Sequence, residues 1–197
     1  MASVLLTTVY SMDSIVLAIT RLSIEKLCLL VDRRPDAQQK ETVKRIKESF
    51  GKVLEITERR VEVYDIVSVV RSVVELIDSL PAGDEIYVNI TPARKTQALG
   101  LLFAAYRRSK RIRRIVYMIE ETKQLIDLPI LSFDVSKTQL KILENIENYK
   151  SMTKLADDLK MSRAMLYRNI KHLQHADLIT ETNEGFRLTD AGKIARM

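Results

Sequence analysis

The segment Val88-Asn89-Ile90-Thr91-Pro92-Ala93-Arg94-Lys95 gathers two hydrogen-bonding side chains and two cations where a β-rich run gives way to a helical pattern. The first turn of a helix leaves backbone N–H groups unpaired and carries the positive end of the dipole. An anion can be held there by those donors together with the charges of Arg94 and Lys95. Asn89 and Thr91 offer side-chain hydrogen bonds at the same strand end. The plain alternative is a helix start with solvated charges. A second constellation lies near the C-terminus, where Arg163, Ala164, Tyr167, Arg168 and Lys171 fall off the apolar stripe Leu166, Ile170, Leu173. Guanidinium groups displayed this way read guanine or grip phosphate, and tyrosine and lysine hold a polyanion backbone.

Other chemistry is thinly supplied. His172 and His175 are the only histidines and have no cysteine or carboxylate cluster fitted to them, so no metal site is expected. Cys28 is the only cysteine, which excludes an intrachain disulfide, and its place in the apolar run 27–31 reads as a buried side chain. No Walker loop and no nucleophile–base motif is present. The expectation is therefore no catalytic residue, no cofactor and no enzyme. The basic run at residues 107–114 suits DNA flanks or polyphosphate, but the dipole at a helix C-terminus favours the same residues.

At 197 residues, with 46% hydrophobic and 29% charged side chains, the chain is apolar enough to fold and long enough for two small domains. Net charge is +6, divided +4 and +2 about residue 133, so a nucleic-acid partner must be argued from placement rather than total charge. No apolar stretch approaches the roughly 18 residues needed to span a bilayer, and the opening Met1-Ala2-Ser3-Val4-Leu5-Leu6 lacks a basic leader region. A cytoplasmic protein with no membrane partner is the default expectation.

Periodicity supplies the elements. Strand-like runs at residues 4–8, 26–31, 53–57, 85–90 and 114–119 alternate with helical patterns at 13–22, 35–50, 65–80 and 93–109. The apolar stretch 98–106 reads as a buried helix, and residues 123–133 add an irregular last strand broken at Pro129. This alternation predicts an α/β fold, a Rossmann-like, mostly parallel sheet with right-handed crossovers over residues 1–133. Ligands of such sheets bind beyond the C-terminal strand ends, which points to the loops after Thr8 and after Ile90.

From residue 134 to 197 the pattern is helical. Ser136 caps a helix to about residue 149, residues 152–159 form a second, and Ser162 caps a third after the turn Lys160-Met161-Ser162. Two short strands follow at 178–181 and 186–189, joined around Asn183-Glu184-Gly185 and carrying Arg187, and Asp190 opens a last short helix. This order resembles the winged-helix regulators of bacteria and archaea. The matching features are Leu155-Ala156, the Ser162 cap, the stripe Leu166, Ile170, Leu173, and the runs Ala176-Asp177-Leu178-Ile179 and Leu188-Thr189-Asp190-Ala191-Gly192-Lys193. The resemblance implies a winged helix-turn-helix with a two-stranded wing that binds double-stranded DNA through Ser162, Arg163, Ala164, Tyr167, Arg168, Lys171 and Arg187.

The Asn-hydrophobic-Thr element after the fourth strand, joined to such a domain, resembles the CARF–winged-helix regulators, often CRISPR-associated in archaea. That resemblance implies a sensor and homodimerisation domain at residues 1–133 and a cyclic oligoadenylate ligand. The matching site residues are Thr8, Val9, Tyr10 and Ser11 at the first strand end and Asn89, Thr91, Arg94 and Lys95 at the fourth. The chain departs from the family at Ala93, where glycine is usual and where alanine disfavours a positive φ. The alternatives are a ring nuclease that opens its own ligand, a ligand-independent DNA-binding protein and a scaffold.

Overall fold

The strands β1 (Ser3–Thr8) and β2 (Lys26–Asp32) are buried from their second residue onward. Both faces of such strands must be covered, and this is why Val4-Leu5-Leu6 and Leu27-Cys28-Leu29-Leu30-Val31 run apolar without alternation. A computed structural model describes residues 1–131, 135–149, 151–183 and 185–197. The chain divides into two compact units, Met1–Ser132 and Phe133–Met197.

The first unit is built on a six-stranded sheet in the order β3-β2-β1-β4-β5-β6. β3 (Glu55–Val61), β2, β1, β4 (Glu85–Asn89) and β5 (Ile112–Met118) are parallel, and β6 (Leu125–Leu128) returns antiparallel to β5. The reversal follows from chain length, because the turn between Met118 and Leu125 is too short for a crossover. Lys123 takes the left-handed conformation in that turn (φ 55°), and β6 stops before Pro129, which has no N–H for the ladder. β3 lies at the opposite edge with Glu55, Glu58 and Arg60 exposed, charges that discourage edge pairing.

Four helices cover the sheet. α1 (Asp13–Leu22) and α2 (Ala37–Phe50) pack Ile15, Ala18, Val43 and Ile46 against Leu5, Leu27, Leu29 and Val31. The intervening strand residues point the other way, toward α3 (Ile66–Ser79) and α4 (Lys95–Arg107). Those two helices lie close because Gly100 carries no Cβ; one built there would sit 2.5 Å from Val69 Cγ1. Asp36 and Asp65 cap α2 and α3 by accepting from Gln39 N and Ser68 N.

Three sequence expectations need correction. The third strand starts at Glu55 rather than Val53, which is 75% exposed, because the amides of Val53 and Leu54 close a turn onto the Phe50 carbonyl. The fourth helix starts at Lys95 rather than Ala93, which leaves Arg94 as its N-cap residue. That helix is also buried on one side only, with Leu99 43% exposed, since it packs on the sheet and α3.

In the second unit, α5 (Lys137–Asn145) starts with a capping box between Ser136 and Gln139 and tightens into a 3-10 turn at Ile146–Asn148. α6 (Met152–Asp158), α7 (Arg163–His175), the antiparallel pair β7 (Ile179–Thr182) and β8 (Gly185–Leu188), and α8 (Asp190–Ala195) follow. Ile142, Leu155, Leu166, Ile170, Leu173 and Leu188 are at the centre of the core. Glu147 ties the unit together, accepting from the Leu188 amide at 3.1 Å and from Arg196 at 3.4 Å. The expected turn 183–185 includes Glu184, which lies outside the described residues, and Gly185 beside it has φ 121°. The expected domain junction near Phe133 also lies outside them. Among the described residues, no helix is long and apolar enough to cross a membrane.

Candidate functional site

β1 and β4 are parallel neighbours with Thr7 opposite Asn89, and their following helices leave toward opposite sides of the sheet. Their C-terminal ends therefore form the topological switch point, where the following loops diverge and where ligands of such sheets bind. The structure brings both predicted groups of residues to this edge.

Asn89 is fully buried, and both ends of its amide are used. Nδ2 donates to the Ser14 carbonyl on α1 at 3.2 Å, and Oδ1 accepts from the Thr91 amide at 3.1 Å and the Thr91 hydroxyl at 2.8 Å. The Thr91 oxygen in turn accepts from the Met118 amide at 2.7 Å. These side chains hold the loop in place: they fasten the end of β4 to α1 and to β5. Ala93 stays out of the left-handed region, and its amide donates to the Thr91 carbonyl at 3.0 Å, so the turn does not use a glycine's freedom.

Arg94 and Lys95 behave differently from each other. The Arg94 guanidinium donates from Nε to Asp32 at 3.3 Å, from Nη2 to Asp36 at 3.2 Å and from Nη1 to the Tyr64 hydroxyl at 3.1 Å. These partners raise its pKa above the ordinary arginine value, Tyr64 first and then Asp32 and Asp36. Lys95 is exposed, and among the described residues it pairs with no carboxylate.

At the end of β1, Thr8 and Val9 are buried while Tyr10 and Ser11 are exposed. The Val9 carbonyl accepts from Gln39 Nε2 at 2.9 Å, and the Tyr10 carbonyl accepts from Gln38 and Thr42 at 3.4 Å each. Gln39 also brackets Asp32, accepting from its amide and donating to its carboxylate. Among the described residues, Thr8 Oγ1, Ser14 Oγ, Thr96 Oγ1 and Gln97 Oε1 are buried polar atoms on the elements around these strand ends with no hydrogen-bond partner. Gln97, on the first turn of α4, donates to the carbonyl of Leu30, the residue opposite Thr8 in the sheet. Buried polar groups are usually hydrogen-bonded, so these atoms retain hydrogen-bonding capacity near the strand ends. Sequence reading missed Asp32, Gln39, Tyr64 and Gln97. A polar residue closing the apolar run of β2 was the available signal for Asp32.

In the second unit, Ser162 caps α7 by accepting from the Met165 amide at 3.2 Å. Arg163, Ala164, Tyr167, Arg168 and Lys171 are all exposed, on the side away from Leu166, Ile170 and Leu173. Met165, which the sequence reading passed over, is 44% exposed beside Tyr167 at 50%. Arg187 is exposed on β8 opposite Thr180. The arrangement offers cations, a tyrosine ring and small apolar groups to a polyanion.

A family model described as Methanogenesis regulatory protein FilR1, N-terminal domain, matches residues 129–197. No curated protein sequence matches the chain. Among solved structures, the chain is similar to Enterococcus italicus Csm6 bound to cyclic hexa-2'-fluoro-hexa-dAMP, with a TM-score of 0.53 and 13% identity over 90% of this chain and 55% of that one. It is similar to protein VC1899 from Vibrio cholerae, with a TM-score of 0.51 and 12% identity over 98% and 64%. It is also similar to a type III CRISPR defence DNA nuclease activated by cyclic oligoadenylate, with a TM-score of 0.50 and 16% identity over 89% and 30%. The chain thus spans less than two thirds of the length of each of these proteins, and at such identities the likeness is one of fold. A second family model, described as HFX_2341_N:-like, N-terminal, matches residues 5–124, more than half of the sequence, and the chain belongs to that family.

Proposed function

We propose that this chain is a DNA-binding transcriptional regulator whose DNA affinity is set by a cyclic oligoadenylate, or a related nucleotide, held at the ends of β1 and β4. The observation that carries the reading is the face of α7. Behind the Ser162 cap, Arg163, Ala164, Tyr167, Arg168 and Lys171 are displayed to solvent while the opposite stripe fills the core. Three helices followed by a two-stranded antiparallel hairpin are the parts of a winged helix, with α7 as the major-groove reader and Arg187 on the wing. The match of residues 129–197 to a regulatory-protein domain supports a role in transcription.

The ligand class is carried over from proteins of similar fold whose structures concern cyclic oligonucleotides. These strand ends suit it through exposed Lys95, the amides at the start of α4 and the hydrogen-bonding capacity of Thr8, Thr96 and Gln97. As a homodimer, the protein would present two copies of α7 to an inverted repeat about one DNA turn apart or more. Light scattering at micromolar concentration reads that state directly.

The test of DNA binding is the double variant Arg163→Ala/Arg168→Ala, measured on a duplex enriched from a random library by the wild-type protein. Both side chains lie off the core, so the fold should be kept. Affinity should fall by about 1–3 kcal/mol per base contact, with a shallower salt dependence if phosphate contacts are lost. Unchanged affinity and salt slope would remove α7 as the reader. Linear products from cyclic tetra-adenylate incubated with pure protein would make the sensor a nuclease rather than a binder.

A further inference from the structure

In the sheet order β2-β1-β4, the side chain of Arg94 starts beside β4 and ends at Asp32 on β2. It therefore crosses the end of β1, at the strand ends proposed to take the ligand. Its two other partners come from further loops, Asp36 at the cap of α2 and Tyr64 between β3 and α3. We propose that Arg94 is a strap held shut by Asp32, Asp36 and Tyr64, and that an anionic ligand enters by taking its guanidinium from them. This inference rests on the ligand reading above and concerns its regulation.

The chemistry of exchange follows from the donors. A guanidinium grips phosphate by two parallel N–H bonds, but here Nε, Nη1 and Nη2 each already serve an acceptor. Two N–H groups remain, one on Nη1 and one on Nη2, but Asp32 and Asp36 already hold the positive charge that would draw a phosphate, so tight capture favours release of a partner. The partners are unequal: the Asp32 side chain is 7% exposed and fixed on its other oxygen by Gln39, whereas Asp36 is 44% and Tyr64 70% exposed. The exposed pair lets go first and buried Asp32 remains as the hinge point. Lys95, exposed and with no carboxylate partner among the described residues, attracts the anion without competing bonds. Asp36 and Tyr64 thus act as internal competitors that set a threshold on the charge of what is admitted.

The test uses the full chain carrying Asp36→Asn and Tyr64→Phe together. Asparagine keeps the helix cap, and phenylalanine removes only a hydroxyl from an exposed ring. Titration calorimetry with cyclic tetra-adenylate should show binding about threefold or more tighter than wild type, as expected when exposed ion-pair competitors are lost. If wild type binds and the double variant binds equally or more weakly, the strap is overturned while the ligand reading stands. If neither binds cyclic tetra-adenylate, that ligand falls, and sodium tripolyphosphate decides the strap. Tighter tripolyphosphate binding by the double variant supports it; equal binding, or none by either protein, overturns it.

Discussion

The Thr91 hydroxyl oxygen accepts a 2.7 Å hydrogen bond from the Met118 amide while its proton goes to Asn89, so one side chain joins the ends of β4 and β5. Because Asn89 is fully buried, this junction cannot be replaced by water at low cost.

Thr91→Val keeps the shape and removes the hydroxyl. It leaves the Met118 amide without its acceptor and Asn89 Oδ1 with one donor fewer. Unfolding in urea should show a loss of about 1–3 kcal/mol. A variant as stable as wild type would mean that the junction contributes nothing.

In the second unit, a Cβ added at Gly192 would run into the Leu178 carbonyl, which is backbone and cannot swing aside. Gly192 is the third residue of α8, and its amide donates to the capping Thr189 hydroxyl at 3.0 Å. Gly192→Ala should destabilise this unit by about 1–3 kcal/mol, the usual cost of overpacking. Helix propensity alone favours alanine, so the sign of the change separates the two effects. Thermal melting of wild type and variant reads it.

Asp78 and Arg108 form two hydrogen bonds of 2.7 Å each, joining the C-terminal ends of α3 and α4. Arg108 holds the Asp78 carboxyl below the usual carboxylate range, through its hydrogen bond first. A depressed folded-state pKa contributes stability above the unfolded value of about 3.9, and that contribution is lost as pH falls through the folded value. The Asp78 side chain is 47% exposed, so the contribution is screened to about 0.2–1 kcal/mol. Asp78→Asn should thus be less stable than wild type at pH 7, with the gap closing as pH drops below about 4. A gap that persists in acid would place the effect elsewhere.

The strands, the helices and the caps at Ser136 and Ser162 were legible because they rest on local periodicity and on single polar residues at helix starts. The switch point was legible in outline, since alternating strands and helices fix where it must fall. The Arg94 network was not. Its partners lie 62, 58 and 30 residues away in sequence, at a strand end, a helix cap and a loop, and only the folded sheet order aligns them. For the same reason the partners of Asn89 and Thr91 within the fold were not legible: their residue types say that they hydrogen-bond, but not to what. The antiparallel β6 was half legible, with Pro129 marking its end but the direction set by turn length.

If a ligand at the ends of β1 and β4 sets DNA affinity, as proposed, the two binding events are linked and each shifts the other. The measurement is a fluorescence-anisotropy titration of the enriched duplex with wild type and Lys95→Ala, each with and without saturating cyclic tetra-adenylate. The ligand should shift wild-type DNA affinity by about 5-fold to 150-fold, the usual range of coupling between sites. Lys95→Ala should show the same ligand-free affinity and no shift. Equal shifts in both proteins would place the ligand elsewhere, and no wild-type shift with any cyclic oligoadenylate would overturn regulation by that ligand class.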